Sequence, residues 1–456
     1  MKDMDKIVAL AKRRGFIYPS SDIYGGMSNA WDFGHYGTLL KNNIRDLWWK
    51  KFVLNRDDMV GIDASVFLNP KVWEASGHVA GFADALVDCL NCKNRMRADH
   101  LIEDNVKNIK VEGLPMDELT KIIKDNKIKC PKCGKSDLTE ARRFNLLFKT
   151  KIGVLEDDKN DAYLRGEIAQ GIFVNFKNVL DTMRVRLPFG IAQQGKAYRN
   201  EITMGQFIHR TFEFDLMEFE YFIRSNEWEK VYEYWKTEMW KWALDLGIQE
   251  KNLHWREHEE FERSFYSTKT MDIEYHYPFG WKEMFGLAYR ADFDLSNHMK
   301  HSGKNLQYTD PKTKESFIPH VIEPTFGLSR LVGVILFDAY HEEKVNDSVR
   351  TFLKLSPLIA PIKVAVFPLQ KDESLQKYAQ EISASVKTQF VSEFDDAGNI
   401  GKMYRRQDEI GTPFCVTIDY QSLEDKTVTV RERDTMKQER ILVSNLLEYL
   451  HKKLQI

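Results

Sequence analysis

The distribution of apolar and polar positions predicts long helices in the first half of the chain. The predicted helical segments are Asp3 to Arg14, Tyr36 to Val53, Ala162 to Met183 and about Asn226 to Leu246. In the second segment, one face of the helix would carry Leu40, Ile44, Leu47 and Trp48. A helix with so wide an apolar face fits either a buried core or a seam between two subunits.

The C-terminal part of the chain shows a different pattern. Short apolar runs and a helical segment follow one another as strand, helix, strand and strand, over Lys363 to Phe367, Glu373 to Val386, Pro413 to Ile418 and Thr427 to Arg431. This order predicts a separate α/β domain. A linker is expected before it at Val345 to Pro361, where two prolines bracket Leu-Ile-Ala. In the middle of the chain, two β-rich stretches surround Arg199 and Arg210.

Length and charge exclude several classes of protein. The chain has 456 residues, enough for about three domains with a substantial apolar core. Its 66 basic and 68 acidic residues give a net charge of −2, which argues against a general nucleic-acid coat or a membrane-surface protein. No run approaches the ~18 apolar residues of a membrane span, and Ile7 to Ala11 is too short for a signal-peptide core. We therefore expect a cytoplasmic, multidomain protein without a membrane partner.

Four of the five cysteines form two Cys-x-x-Cys pairs, Cys89 with Cys92 and Cys130 with Cys133. Two such pairs offer four thiolates to one ion, so zinc is the expected metal, and Gly134 suits the tight turn after the second pair. Two disulfides or four incidental thiols are the alternatives. The wide spacing between the pairs indicates an insertion. Its excess of basic residues fits either contact with phosphates or an ordinary solvated surface.

Two arginines with a distinctive spacing lie in the middle of the chain. Arg199 falls within residues 195–201, and Arg210 follows after a loop and begins the segment that ends at Phe214. This spacing predicts arginines on two neighbouring strands joined by a loop. Arginine offers a phosphate paired donors and a permanent charge, and Phe214 offers a ring face on which a base can stack. The alternative is a pair of salt-bridged arginines on an ordinary hairpin.

The spacing resembles motif 2 of the class II aminoacyl-tRNA synthetases, whose positions are met by Tyr198, Arg199, Glu201, Arg210 and Phe214. Residues 323–330, Glu-Pro-Thr-Phe-Gly-Leu-Ser-Arg, resemble motif 3 of the same family. Further segments narrow the resemblance to the homodimeric glycyl-tRNA synthetases of bacterial type, namely residues 73–79, 163–173, 275–281, 290–294 and 405–413. The likeness covers nearly the whole chain, including the cysteine insertion.

The resemblance implies an α+β fold with three parts. These are a class II catalytic core on an antiparallel sheet, residues 1–88 and 144–350, a zinc-binding insertion, residues 89–143, and a C-terminal α/β anticodon-binding domain, residues 361–456. It also implies a homodimer that activates glycine with ATP to glycyl-adenylate and transfers glycine to the 3′ end of tRNA-Gly. Basic residues of the tail that could meet RNA, or could equally be salt-bridged, are Lys402, Arg405, Arg406, Arg431, Arg433, Lys437 and Arg440.

The resemblance also assigns roles to single residues. Catalytic roles fall to Arg199, Glu201 and Arg330, with Arg199 on the α-phosphate and adenine between Phe214 and Arg330. ATP would be bound by Arg199, Asn200, Glu201, His209, Arg210, Phe214, Glu283, Met284, Gly327 and Arg330. Glycine and its adenylate would be bound by Arg97, Glu167, Phe214, Glu218, Arg290, Glu323, Thr325 and Gly327. Mg²⁺ would be held by Glu283 and Glu323, whose alternative role is an ion pair with a neighbouring arginine.

The chain departs from the family pattern at five positions, Gly166, Met204, Phe212, Thr325 and Ser329. We expect activity to survive, because every charged group that adenylation needs is present. The main alternative is a catalytically inactive synthetase-like accessory or nucleic-acid-binding subunit, which the complete set of ATP-site residues disfavours. The second alternative is an enzyme for another amino acid or acceptor, which the glutamates of the glycine site disfavour.

Overall fold

A computed structural model describes residues 3–106, 109, 111, 114–153, 161–202 and 206–454. Strands are numbered in chain order. Within the described residues they are β1 (Ile17–Pro19), β2 (Trp31–Phe33), β3 (Met59–Gly61), β4 (Ala83–Asp88), β5 (Arg95–Arg97), β6 (Arg142–Asn145), β7 (Lys149–Lys151), β8 (Asp161–Tyr163), β9 (Phe189–Tyr198), β10 (Glu213–Ile223), β11 (Leu253–Glu257), β12 (Lys269–Tyr277), β13 (Gly280–Ala291), β14 (Tyr308–Thr309), β15 (Ser316–Phe317), β16 (His320–Gly327), β17 (Tyr340–Val345), β18 (Ser348–Leu353), β19 (Val364–Pro368), β20 (Ser392–Phe394), β21 (Phe414–Ile418), β22 (Thr427–Glu432) and β23 (Gln438–Leu442).

Helices connect and cover these strands. Within the same ranges they are α1 (Met4–Arg13), α2 (His35–Trp49), α3 (Pro70–Ala75), α4 (His78–Gly81), α5 (Ala98–Glu103), α6 (Met116–Asp125), α7 (Ala169–Met183), α8 (Trp228–Asp245), α9 (Phe293–Ser302), α10 (Leu328–Ala339), α11 (Glu373–Lys387), α12 (Ile400–Ile410), α13 (Tyr420–Asp425) and α14 (Leu446–Leu454). Of the helices in the described part of the chain, none is both long and apolar enough to cross a membrane.

Three of the four predicted helices are confirmed by α1, α2 and α8. The first begins where Asp3 caps it, because the Asp3 carboxylate accepts hydrogen bonds from the first free backbone N–H groups. The predicted start at Ala162 is wrong, since α7 begins only at Ala169. Residues 161–163 pair with β7 instead, and the Arg165 side chain is buried by donating to backbone carbonyl oxygens of Ala64 and Lys196.

A seven-stranded sheet forms the centre of the molecule, in the order β11-β12-β13-β16-β10-β9-β3. Adjacent strands of this sheet are antiparallel, except that β3 and β9 run parallel. Helix α8 covers one face, where Phe219 of β10 packs on Trp235 with ring centroids 4.6 Å apart. Helix α7 covers part of the other, where Phe222 packs on Phe176 at 4.6 Å. Because strand residues alternate between faces, Glu218 shares the α7 face with Phe222. The predicted α+β fold class is confirmed.

The two cysteine pairs belong to a small unit with its own three-stranded sheet, ordered β5-β4-β6. This sheet begins at Ala83 and ends at Asn145, so it extends beyond residues 89–143 on both sides. Helices α5 and α6 bury an apolar face against it, formed by Leu101, Ile102, Leu119 and Ile123. Arg97, at the end of β5, is half-buried and borders a cavity that residues of the central sheet also line.

The C-terminal unit confirms the predicted α/β domain. Its sheet has the order β20-β19-β21-β22-β23, parallel over the first three strands and antiparallel over the rest. The linker predicted at Val345 to Pro361 is wrong in part, because β17 and β18 form a hairpin there and Ile359 and Ala360 are buried in the main core. Bracketing prolines mark a turn, but the apolar residues between them pack rather than remain in solvent.

Candidate active site and metal centre

A cavity of about 410 Å³ lies on the face of the central sheet that carries Glu218. Most of the predicted binding residues border it, namely Arg97, Glu167, Arg199, Glu201, His209, Arg210, Phe214, Glu218, Glu283, Glu323, Thr325, Gly327 and Arg330. Asn200, Met284 and Arg290 are not part of its lining. Met284 is fully buried.

The two motif 2 arginines lie just outside the strands. Strand β9 ends at Tyr198 and β10 begins at Glu213, so the prediction that Arg199 and Arg210 lie within strands is wrong. Strand pairing still brings them together, because Tyr198 lies opposite Glu213 in the antiparallel register. Side chains at strand ends can reach over the cavity, whereas side chains within the strands form its floor.

Arg199 is held as a cation at the cavity wall. Its Nε donates to the Gly166 carbonyl oxygen at 3.0 Å, and its guanidinium lies 5.1 Å from the ring centre of Phe82 and 5.3 Å from that of Phe214. Within the described ranges, its two terminal nitrogens have no hydrogen-bond or ion-pair partner. The arrangement therefore leaves a fixed guanidinium fork for a ligand, which is the geometry that phosphate recognition uses.

The other two ATP-site arginines are paired with carboxylates. Arg330 Nη1 lies 2.8 Å from Glu283 Oε1, and Arg210 Nη1 lies 3.4 Å from Glu201 Oε2. For Glu283, the ion pair considered as an alternative to a metal role is thus present. Burial, together with the charges of the nearby arginines and Lys282, lowers the pKa of His209 to about 2, so this histidine adds no charge to the site.

Three buried carboxyl groups lie close together at the other end of the cavity. Glu218, Glu220 and Glu323 each place an oxygen within 4.8 Å of the others. Burial first, and then repulsion from neighbouring carboxylates, raises the pKa of Glu218 and of Glu220. Glu218 Oε1 and both oxygens of Glu220 lack a hydrogen-bond partner among the described residues. Acids that are costly to bury and unpaired favour binding of a cationic group.

Arg290 lies behind this cluster and organises it. Its guanidinium donates to Asp294 at 2.7 and 2.9 Å and to Glu323 Oε1 at 2.9 Å, and it lies 3.7 Å from Glu167. Glu167 also receives a hydrogen bond from Gln170 and pairs with His78 at 3.2 Å. Although burial alone would raise it, the pKa of Glu167 is lowered by these partners, so Glu167 is ionised. Arg290 therefore acts on the cavity through Glu167 and Glu323.

Arg97 brings the cysteine-containing unit to the cavity wall. Its guanidinium pairs with Asp84 at 3.1 Å and with Asp99 at 2.5 Å, and Asp84 also borders the cavity. Burial would lower the pKa of Arg97, but the two carboxylates outweigh it and raise the pKa, so the charge is permanent. A disturbance of the small unit would therefore reach the cavity through Arg97.

Four of the five departures from the family pattern have a visible structural setting. Ser329 Oγ accepts a hydrogen bond from the Asp215 N–H at 2.9 Å and so joins α10 to β10. Gly166 leaves room for Phe82 and Leu147, each of which lies 3.0 Å from the position that a Cβ would occupy, and Phe82 in turn supports Arg199. Thr325 lines the cavity, and Phe212 packs edge-on against Phe148 at 6.0 Å. Met204 lies outside the described residues.

Several residues of the site were not found by sequence reasoning. These are His78, Phe82, Asp84, Glu220, His258, Tyr266 and Asp272, of which Phe82 supports Arg199 and Glu220 extends the acidic cluster. His258 Nε2 lies 2.7 Å from Asp272 Oδ2 at the cavity wall. Glu220 could have been found, because it lies two residues from Glu218 and must share its face of β10. The others lie on separate helices, strands and connecting segments, so their position in one site cannot be inferred from a local pattern.

The four paired cysteines converge as predicted. Their Sγ atoms all lie within 4.8 Å of one another, with 3.5 Å between Cys89 and Cys133 and 3.6 Å between Cys92 and Cys130. Zinc bound to four thiolates at ~2.3 Å would space the sulfurs by about 3.8 Å, so the cluster fits this ion. Gly134 has a positive φ of 71° in the second turn, as the tight turn requires. All four cysteines are free, so the disulfide alternative is wrong for this structure.

We expect a Cys133→Ser variant to lose its zinc on dialysis against a chelator, because three thiolates and a hydroxyl bind the ion far more weakly. Elemental analysis of the dialysed protein measures the effect, with the wild type retaining about one ion per chain. Cys415→Ser is the matched control, since Cys415 is buried in the C-terminal sheet away from the cluster. Stoichiometric zinc in the Cys133 variant would contradict the assignment.

The basic residues of the C-terminal unit differ in availability. Arg431 is buried and pairs with Asp408 at 2.9 Å, while Arg433 is buried and donates to the carbonyl oxygens of Gly411 and Leu355. For both, the salt-bridge or structural alternative holds, and neither is free to meet RNA. Of the predicted basic residues, Lys402, Arg405, Lys437 and Arg440 stay exposed, although Arg440 also pairs with Asp419 at 2.5 Å.

Comparison with known proteins supports a class II synthetase core followed by an anticodon-binding domain. Residues 148–338 match the family described as "tRNA synthetase class II core domain (G, H, P, S and T)", and residues 363–453 match the family "Anticodon binding domain". Among solved structures, a prolyl-tRNA synthetase from Cryptosporidium parvum, complexed with halofuginone and AMPPNP, superimposes with a TM-score of 0.65. It is 16% identical and covers 99% of this chain and 75% of that chain, so the likeness concerns the fold alone.

Curated relatives match over their full length. Glycine–tRNA ligase of Caldanaerobacter subterraneus subsp. tengcongensis is 52% identical, covering 99% of this chain and 98% of the relative. The enzymes of the same name from Ruminiclostridium cellulolyticum and Bacillus cereus are 51% and 50% identical, covering 100% of this chain and 99% and 100% of the relatives.

Proposed function

Because the chain belongs to the glycine–tRNA ligase family of class II synthetases, we propose that the cavity is the site where glycine is activated by ATP and then passed to tRNA-Gly. The enzyme is a ligase and uses ATP. In the first half-reaction, the glycine carboxylate attacks the α-phosphorus and pyrophosphate leaves. In the second, the terminal hydroxyl of the tRNA attacks the glycyl carbonyl and AMP leaves.

The observation that carries the assignment of the site is the Arg199 guanidinium, whose two terminal nitrogens have no partner among the described residues. Its charge acts on Glu218 at the acidic end of the cavity and on Glu283 at the arginine-rich end, so it lies between the two. A fixed cation there would neutralise the negative charge that builds up on the α-phosphate during attack, without having to reorganise. We assign the α-phosphate and the glycine carboxylate to this position.

The two ends of the cavity suit the two substrates. Arg210 and Arg330 would exchange their carboxylate partners for the outer phosphates of ATP, with Glu201, His209 and the ring of Phe214 beside the base. Since the Phe214 ring already lies against Arg199, adenine would use its other face. Asn200, Gly327 and the backbone of Met284 remain proposed ATP contacts. Magnesium reaches such sites with ATP; Glu283 and Glu323 would hold the ion, whose positive charge would offset part of the phosphate charge.

The acidic end suits the ammonium group of glycine. Glu167, Glu218 and Glu323 would receive it, with Thr325 and Arg97 completing the subsite. Arg290 would orient Glu167 and Glu323 from behind the cavity. Glycine has no side chain to recognise, so a small closed subsite must exclude larger amino acids by overlap. The absence of a methyl-sized space next to the ammonium position would then be the source of selectivity.

Further parts of the proposal concern the whole molecule. We infer that residues 1–88 and 144–350 form the catalytic core, that residues 89–143 bind structural zinc and position Arg97, and that residues 361–456 read the anticodon through the exposed Lys402, Arg405 and Lys437. The subunit would act as a homodimer in the cytoplasm, where its substrates are found. Zinc would stabilise the small unit and take no part in the reaction.

The proposed function is tested by ATP–pyrophosphate exchange with each of the twenty amino acids. We expect exchange with glycine and none above background with alanine or serine, because both add atoms to the α-carbon. Folded protein that shows no glycine-dependent exchange would support the inactive accessory subunit instead. Exchange with a larger amino acid would support the enzyme of different specificity.

A further inference from the structure

One part of the cavity wall has no role in the proposed reaction. Residues 264–266, Ser-Phe-Tyr, lie between the 3₁₀ turn Glu260–Glu262 and β12, and Ser264 and Tyr266 both border the cavity. Glu167 and Glu323 line the same cavity. This segment therefore forms a boundary of the end of the cavity that we assign to glycine.

The Tyr266 ring lies directly over Arg290. Its centroid is 3.8 Å from the guanidinium carbon, and the ring is also nearly parallel to that of His78 at 6.5 Å. Arg290 and His78 both contact Glu167, and Arg290 also holds Glu323. The tyrosine thus covers the groups that orient two of the carboxylates proposed to bind the ammonium.

The electrostatics agree with a position at the cavity wall. Burial first, and then the negative charges of Glu323 and Glu167, raise the pKa of the Tyr266 hydroxyl, so the side chain is neutral. A neutral aromatic ring adds bulk and excludes water without changing the charge balance of the acidic subsite. Stacking on a desolvated guanidinium stabilises this placement.

The neighbouring Phe265 fixes the segment in place. A Cβ on Gly77 would lie 2.9 Å from the Phe265 ring, and one on Gly81 would lie 3.2 Å from it, so these glycines provide its seat. Gly77 also has a φ of +84°, which other residues rarely adopt. Phe265 further contacts Phe293 of α9, with ring centroids 5.9 Å apart. The Tyr266 ring is therefore positioned by packing on both sides of the segment.

We propose that Tyr266 is a specificity-determining residue for the amino acid. Its ring closes the wall of the ammonium subsite over Arg290, so that a substrate side chain would meet the ring. This inference rests on the proposed placement of glycine at the acidic end of the cavity. It assigns part of the exclusion of alanine to a residue outside the synthetase motifs.

The test compares Tyr266→Ala with Tyr266→Phe in the full-length protein by ATP–pyrophosphate exchange. Removing the ring is expected to lower the ratio of kcat/KM for glycine to that for alanine about tenfold, because a methyl-sized restriction is worth roughly 10–200-fold. The KM for ATP should change by less than about threefold, since the ring lies at the glycine end. The phenylalanine variant keeps the ring and should match the wild type within about threefold in the glycine-to-alanine ratio.

Tyr420→Ala is the matched control, because Tyr420 is exposed and lies in the C-terminal unit, none of whose described residues lines the cavity. An unchanged glycine-to-alanine ratio in Tyr266→Ala would overturn the proposal. Equal damage in the phenylalanine and alanine variants would also overturn it, by assigning the effect to the hydroxyl. If the alanine variant fails to fold, Tyr266→Leu replaces it with the same expected drop in the ratio. Glycine-dependent exchange by the wild type tests the proposed function separately.

Discussion

An Arg199→Ala variant is expected to lose about 10³-fold in kcat for glycine-dependent ATP–pyrophosphate exchange, equivalent to ~4 kcal/mol of transition-state stabilisation. The guanidinium is already fixed by Gly166, Phe82 and Phe214, while its two terminal nitrogens have no hydrogen-bond partner among the described residues. It therefore needs no rearrangement to meet charge that develops on the α-phosphate. Since this charge grows only during attack, kcat and kcat/KM should fall together, with little change in the KM for ATP.

Arg186→Ala provides the matched control, because Arg186 is exposed and precedes β9 outside the cavity. It should retain wild-type exchange. Arg199→Lys should fall between the two, since lysine keeps a charge but cannot offer the forked donors. A loss confined to the KM for ATP would show that Arg199 only binds the nucleotide. Full exchange activity in the alanine variant would remove Arg199 from the catalytic assignment.

The spacing of apolar residues correctly predicts helices that have a continuous apolar face. Asp3, Leu40 and Trp48 mark such helices directly, since caps and the 3.6-residue period are properties of neighbouring residues. The predicted helix start at Ala162 is wrong for a tertiary reason. The Arg165 side chain donates to backbone carbonyl oxygens of Lys196 and Ala64, which are distant in sequence. Similarly, Ile359 was expected in a linker but is buried by elements that the sequence does not identify as its neighbours.

In the candidate site, too, local sequence patterns predict some residues, whereas contacts between distant segments place the others. The motif spacing correctly predicted that Arg199, Arg210 and Phe214 lie close together, because β9 and β10 are adjacent strands of one hairpin. It could not reveal that Arg199 is held by Phe82, which lies in a different part of the chain. Nor could it show that Arg290 lies behind the cavity, since its place depends on the register between β13 and β16. Residues that act through packing across elements leave no local pattern.

Replacing Arg290 by methionine is expected to reduce the free energy of unfolding by about 3–5 kcal/mol and to abolish glycine activation. Arg290 is buried and is the shared cation of Asp294, Glu323 and Glu167. Methionine fills a similar volume but leaves these carboxyl groups without their partner in a place where water cannot replace it. Urea unfolding followed by tryptophan fluorescence measures the stability, and ATP–pyrophosphate exchange measures the activity.

Arg224→Met is a suitable comparison, because Arg224 also pairs with two acids, Asp310 and Glu315, but at the surface. Its loss should change stability much less, since water solvates the exposed carboxylates. Adding Glu323→Gln and Asp294→Asn to the Arg290 variant should restore part of the stability by removing the uncompensated charges. Activity should not return, because glycine would still lack oriented carboxylates for its ammonium group. Recovery of both properties in the triple variant would show that Arg290 stabilises the fold without organising the glycine site.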